Sequence, residues 1–265
     1  MIPTTKQLIN LAHRPKPWDD GPVFVFTSDM DWASEEVLDF YRQLLPVCEL
    51  KLTTFVTHHS PILDEMQRNG EISRGIHPNF LPNSSHGNSF KEVIKACREF
   101  VPEAIGARSH RLFSVTDVAH LLKFEYSFHY MSNTIASLST HIRPQVHEST
   151  LLEFPIFFED GTFLFQNLGL SIQPFKQYFT APGLKIISFH PMNMVFNTPE
   201  ISWMRKIKDS MSRDDFNRID RDFILKNRHC GRGIADIIMD IIEMVKQKNY
   251  KIVSLDDLYY QIINE

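Results

Sequence analysis

The chain has 265 residues, a mass of 30.9 kDa and a formal net charge of −4, with 43% hydrophobic and 23% charged residues. Its 21 phenylalanines and many aliphatic residues can bury a large core, which excludes a disordered chain. No apolar stretch approaches the roughly 18 residues that span a bilayer, and an acidic balance with pI ≈ 6.3 excludes a nucleic-acid footprint.

Three scattered cysteines, Cys48, Cys97 and Cys230, make neither a disulfide framework nor a CxxC metal pattern. The N-terminal stretch from Met1 to Pro17 is polar and proline-punctuated and lacks an apolar signal core. A reduced, cytoplasmic protein is expected. Residues 1–20 read as a lead-in segment and residues 21–265 as one domain.

Val23 to Thr27 is a continuous apolar run of strand length, suited to burial on both faces. A helix follows over 34–45, with Ser34 as N-cap and Val37, Leu38, Tyr41, Leu44 and Leu45 at helical spacing. Strands are then expected over 51–56, 71–77 (weakened by Gly75), 104–107, 126–130, 151–155, 184–189 and 251–253. Helices are expected over 62–68, 89–100, 115–122, 234–248 and 255–262. Between them lies a long loop at about 191–232, carrying Asn193, Asn197 and Trp203 and read as a lid or substrate wall. The cluster Phe154, Phe157, Phe158, Phe163 and Phe165 reads as packing. Strands alternating with helices imply a parallel sheet, and seven or eight such units in this length fit a single α/β barrel. In barrels of this kind the chemistry sits just past the C-terminal ends of the strands.

Those positions are rich in titratable side chains. The first strand ends in Asp29-Met30-Asp31-Trp32, where one carboxylate can bind a metal and the other stay free as a base. The third ends in His77-Pro78-Asn79, with His86 in the loop beyond; two imidazoles beside a carboxylate would give a zinc site with three protein ligands and an open position. The next strand ends in Arg108-Ser109-His110-Arg111, and an arginine there can hold a carboxylate in orientation. The strong strand over 184–189 ends in His190, a candidate general acid, followed by Asn193. Each residue alone also fits a turn, cap or surface role; their shared placement at one end of the strands is what marks a site. His58 and His59 can line the same rim, whereas His13, His120, His129, His141, His147 and His229 read as packing or surface residues.

The order of these segments resembles the polysaccharide deacetylase superfamily, the NodB-homology domain of carbohydrate esterase family 4, from about Val23 to Tyr260. The resemblance implies a distorted (β/α)7 barrel and a metal-dependent hydrolase that removes an N-acetyl group from an acetamido sugar or sugar precursor of a surface polysaccharide. By that resemblance Asp29 is the catalytic base, Arg108 its orienting arginine and His190 the general acid. Asp31 and His77 are metal ligands. The family's second-motif histidine falls on Leu81, so His86 stands as its replacement. A divalent ion, zinc first, is the expected cofactor. Trp32, Asn79, His110 and Asn193 are the expected substrate contacts, and Glu153 or Glu159-Asp160 are the acids available near the acid histidine. A hydrolase of another linear amide or ester, and a non-catalytic carbohydrate-binding relative, are the alternatives.

Overall fold

A computed structural model describes residues 4–264 of the chain; residues 1–3 of the expected lead-in lie outside them. The strands, in chain order, are β1 (Pro22–Asp29), β2 (Leu52–Val56), β3 (Ile72–Ile76), β4 (Gly106–Ala107), β5 (Tyr130–Met131), β6 (Gln145–Val146), β7 (Leu152–Glu153), β8 (Phe158–Glu159), β9 (Gly183–Phe189) and β10 (Lys251–Ile252). All eight residues of β1 are buried, as an apolar run covered on both faces should be. β1 is flanked in parallel by β2 and, over its full length, by β9, from Pro22 opposite Gly183 to Ser28 opposite Phe189. Beyond β2 the sheet continues in parallel through β3, β4, β5 and β7. β6 adds an antiparallel rung on β7, and β10 pairs with the start of β1.

One stretch of chain, residues 152–159, brings the two ends of the sheet together. Its start pairs with β5, Ile156 bridges to Ile135, and its end pairs with β9 at Phe158 opposite Ile187. The sheet therefore curls into the expected single-domain α/β architecture, a distorted (β/α)7 barrel. Helices pack on the outside: Glu35–Leu44, capped by Ser34 as predicted, Pro61–Arg68, Phe90–Phe100, Ile234–Gln247 and Leu255–Ile263. Among the described residues no helix is long and apolar enough to cross a membrane.

Gly75 does not weaken β3. A Cβ there would lie 2.7 Å from the Phe55 ring, so the missing side chain is what lets that ring fill the barrel.

Three regions depart from the sequence reading. The lead-in carries two helices, Thr5–His13 and Pro17–Asp20. The first is closed by a reciprocal cap between Thr4 and Gln7, and it buries Leu8 and Ala12. The strand expected over 126–130 is confined to Tyr130–Met131, because a π-helical turn over Leu121–Glu125 extends the preceding helix. The long loop at 191–232 is four short helices, Pro191–Val195, Ile201–Asp209, Arg213–Phe216 and Arg221–Asn227, and Ser34 Oγ donates to Ile219 O (2.6 Å) to tie it to the body. Of the phenylalanine cluster, Phe165 is 76% exposed; the other four are core residues.

Candidate active site

The ends of β1, β3, β4 and β9 meet around one cavity of ≈ 340 Å³, bounded by Asp29, Asp31, His77, His110, Glu159 and His190. Strand register explains much of this. Ile76 in β3 pairs with Ala107 in β4, so His77 and Arg108 emerge side by side with His110 two residues further on. Asp31 reaches the same rim because the chain turns sharply there: Asp31 (φ 44°) and Trp32 (φ 57°) both lie in the left-handed region, which aspartate tolerates better than most residues.

Arg108, fully buried, organises the floor. Its Nη1 donates to Asp29 Oδ1 (2.9 Å), Thr27 Oγ1 (2.8 Å) and Ser188 Oγ (2.9 Å). Nε donates to Ser132 O (3.0 Å) and Nη2 to Ser132 Oγ (2.8 Å). The guanidinium rests 4.4 Å from the Phe55 ring centre, the ring that Gly75 admits. With its donors engaged in a fixed fork, Arg108 holds the Asp29 carboxylate in one orientation at the cavity wall.

Asp31 is the centre of a second group. Its Oδ1 lies 2.9 Å from His110 Nδ1 and 3.2 Å from His77 Nε2, and its Oδ2 lies 3.7 Å from His190 Nε2. Burial acts to raise the Asp31 carboxyl, but hydrogen bonds from His110 and His77 outweigh it and hold it well below the usual carboxylate range. Ligand atoms of Asp31, His77 and His110 all fall within 4.8 Å of one another. One carboxylate oxygen and two imidazole nitrogens facing an open cavity is the donor set of a three-ligand divalent metal site with a free position, so these residues fit such an ion.

His86 does not join them, which corrects the expected ligand set. Its Nδ1 accepts from the Asn79 backbone N–H (3.1 Å), which makes Nε2 the protonated nitrogen, and Nε2 donates to Thr57 O (2.7 Å). Cys97 Sγ lies 3.3 Å from Nδ1. Burial pushes the His86 pKa down, so the ring is neutral with both nitrogens committed to holding the loop. His110, expected as a substrate contact, occupies the place assigned to His86.

His190 faces the cavity from the end of β9. Its Nδ1 lies 2.7 Å from Asp160 Oδ1, and its backbone N–H donates to Asp160 Oδ2 (2.9 Å). Burial acts to lower the His190 pKa, but the Asp160 charge and hydrogen bond, with Asp31 and Glu159 nearby, raise it well above the ordinary histidine value. Asp160 is fully buried, and Glu159 caps the helix Asp160–Phe165 through the N–H groups of Gly161 and Thr162. Asp160 is thus the acid that fixes the ring, a role the sequence left open between Glu153 and Glu159-Asp160. Glu153 instead spends Oε1 on the N–H groups of Asn133 (2.8 Å) and Thr134 (2.9 Å).

The expected substrate contacts divide. Asn193 Nδ2 donates to Asp160 Oδ2 (3.0 Å) and also lines a cavity beside His190. Trp32 packs against His86 and His110, at 5.4 and 5.2 Å between ring centres, and lines a shallow opening next to Asp31. Asn79 is turned inward, its N–H on His86 and its Oδ1 accepting from Leu81 N, so it is a loop brace. Asn197 binds the backbone of Gly231 and Ala235, and Trp203 packs on His229; neither lines the cavity around Asp31.

No curated protein matches the chain. A crystal structure of a Bordetella bronchiseptica protein, described as assigned to polysaccharide deacetylases and involved in O-antigen biosynthesis, shares the fold at TM-score 0.72 and 22% identity, over 84% of this chain and 90% of that one. The Bc1960 peptidoglycan N-acetylglucosamine deacetylase is more distant, at TM-score 0.43 and 13% identity over 88% of this chain and 86% of that one. A family model described as "WbmS-like: Polysaccharide deacetylase" matches residues 26–208, a span that holds Asp29, Asp31, His77, Arg108, His110, Asp160 and His190. The chain therefore belongs to the WbmS-like polysaccharide deacetylase family.

Proposed function

We propose that the protein is a metal-dependent N-deacetylase of an acetamido sugar, a precursor or component of a surface polysaccharide. The observation that carries this reading is the convergence of Asp31, His77 and His110 beneath a cavity that has Asp29 on one wall and His190 on another. A divalent cation, zinc by the mixed imidazole and carboxylate donors, would be held by Asp31, His77 and His110, where it would acidify water and polarise an amide carbonyl.

The protein's own groups supply the proton movements. Asp29, gripped at Oδ1 by Arg108, presents its carboxylate to the cavity and takes a proton from the attacking water. His190, held as an imidazolium by Asp160, points Nε2 into the same space and delivers a proton to the departing amine nitrogen. The C–N bond breaks as the amine is protonated, and acetate and the free amino sugar leave. A base and an acid on different walls of one cleft, each fixed by a buried partner, is what hydrolysis of an unstrained amide requires.

The test is acetate release from N-acetylated sugars by the zinc-loaded chain. Asp29→Asn and His190→Ala are each expected to lower turnover by about 10²–10⁴-fold, the range contributed by a positioned acid or base. Unchanged acetate release in both variants refutes the reading.

A further inference from the structure

We infer that the sugar enters carrying a phosphate group, as a glycosyl phosphate or diphosphate; the inference rests on the deacetylase reading above for the identity of the sugar's reacting group. The cavity around Asp29 and Asp31 opens into a second one of ≈ 390 Å³, which shares Asp31, Arg111, His190 and Lys208 with it. The wall between solvent and site is the helix Ile201–Asp209, part of the four-helix segment over the barrel mouth. Ile201, Met204, Arg205 and Lys208 stand at i, i+3, i+4 and i+7, so they form one face of that helix, and all four line the second cavity. The face is half apolar and half cationic.

Arg111 stands across from it, and Lys208 borders three openings: the reaction cavity, the second cavity and the shallow one beside Trp32, where Arg213 joins it. Among the described residues none of Arg111, Arg205, Lys208 and Arg213 forms an ion pair; Lys208 Nζ lies 5.4 Å from the Phe216 ring centre and the Arg213 guanidinium 5.4 Å from the Trp32 ring centre, both at the opening beside Trp32. Asp209 and Asp31 are the acids that line the second cavity.

Arg111 is also held at a conformational cost. It and Leu112 are consecutive non-glycine residues at φ 54° and 53°, directly after His110. Such strain persists where the surrounding structure demands it, and it concentrates at binding sites. A neutral polysaccharide gives Arg111 and Arg205, and the ammonium of Lys208 between them, no charge to bind, and a single carboxylate would engage one of them. A phosphate or diphosphate on the sugar presents several oxygens at the distance of the next cavity, with Arg111, Arg205 and Lys208 as its partners. Whatever the phosphate is esterified to, nucleoside or lipid, would then lie along Ile201 and Met204.

The test is calorimetric binding by the full chain, with acetate release followed in parallel. The ligands are N-acetylglucosamine, its anomeric phosphate, its uridine diphosphate ester and a short-chain polyprenyl diphosphate ester. Phosphorylated forms are expected to bind at least about tenfold tighter than the neutral sugar, with a preference that shrinks at high salt. The Arg205→Ala/Lys208→Ala double variant should erase that preference while keeping the far-ultraviolet circular dichroism of the parent, and Arg205→Lys should retain most of it. Tighter binding of either diphosphate ester supports the inference, and the better of the two identifies the group against Ile201. Equal binding of neutral and phosphorylated sugars, no binding by any phosphorylated form, or a preference that survives in the double variant overturns it. A phosphate preference without acetate release leaves this site standing and refutes the deacetylase; acetate release with no phosphate preference does the reverse.

Discussion

At the level of single residues the site turns on which histidine completes the group around Asp31. His110 Nδ1 lies within hydrogen-bonding distance of Asp31, whereas both nitrogens of His86 are engaged elsewhere. His110→Ala is therefore expected to lose bound zinc, measured by atomic emission on purified protein, and to lose activity by about 10²-fold or more. His86→Ala is expected to keep its zinc and to melt earlier, by the roughly 1–3 kcal/mol that strands a buried Asn79 N–H and Thr57 C=O. Zinc lost from His86→Ala but retained in His110→Ala would reverse the assignment. Asp29 and His190 stood out in the sequence because they sit at the end of, and just after, the long buried strands β1 and β9, and Arg108 because it follows the short strand expected over 104–107. His110 was harder because its kinship with His77 is one of register between neighbouring strands, with 32 residues of chain between them and no local spacing to mark it. Asp160 stayed one of several alternatives for a related reason: β8 is two residues long and sits inside an apolar run that reads as packing. Its role predicts that Asp160→Asn lowers turnover by at least about tenfold. Because the Asp160 charge helps keep His190 protonated, the alkaline limb of the rate–pH profile should also move to lower pH. A profile that stays in place would mean the acid is another group.

Among the elements, the central strands and long amphipathic helices were legible, and the two-residue strands β6 and β8 were not. β1 and β9 carry continuous apolar runs, and Ile234–Gln247 repeats isoleucine at helical spacing; in these, local pattern and tertiary burial demand the same thing. β4 and β7 fall within the strands expected over 104–107 and 151–155, whereas β6 and β8 are two-residue strands that the barrel holds in register, and no window of sequence that short has a period to read. β9 also contains a residue its pattern does not explain. Lys185 is fully buried, its Nζ lies 4.4 Å from the Phe157 ring centre, and among the described residues it has no hydrogen-bond partner. Burial pushes its pKa down to about 8. The unfolded chain holds that proton more tightly than the folded one, so the penalty is full below about pH 8 and lifts as pH rises toward the ordinary lysine value. Lys185→Met keeps the volume and removes the charge, and it is expected to stabilise the protein by roughly 1–3 kcal/mol at neutral pH. Chemical denaturation across pH should show the gain shrinking above pH 8; a destabilised Met variant would mean that the ammonium has a function in place.

The whole molecule depends on how its C-terminal helix locks the barrel. Leu255–Ile263 docks by the Leu255 N–H donating to Thr53 Oγ1 (3.0 Å) in β2 and by Tyr130 Oη in β5 donating to Asp256 Oδ1 (2.7 Å). The Tyr130 ring occupies the space over Gly106, where a Cβ would come within 2.0 Å of it, so β2, β4, β5 and the last helix share one set of contacts. The single-domain barrel was legible from the alternation of elements, but this clasp joins residues more than a hundred positions apart, and nothing in the local sequence around Asp256 distinguishes it from a helix-capping acid. Its cost is electrostatic: burial pushes the Asp256 carboxyl up to about 6. Because the folded value is raised, the folded state binds the proton more tightly than the unfolded one between the ordinary aspartate value and about pH 6, and the stability this group confers when protonated is lost as pH rises through that window. Asp256→Asn keeps an oxygen to accept from Tyr130 and carries no charge at any pH. The variant is expected to melt about 2–4 °C above the parent at pH 7 to 8, the shift that ~1 kcal/mol gives a chain of this size. The two melting curves should converge below pH 4, where the parent's carboxyl is protonated in both states. Thermal unfolding of both proteins from pH 3.5 to 8 checks this, and a difference that stays constant across that range would show that the Tyr130–Asp256 contact contributes packing without the buried charge argued here.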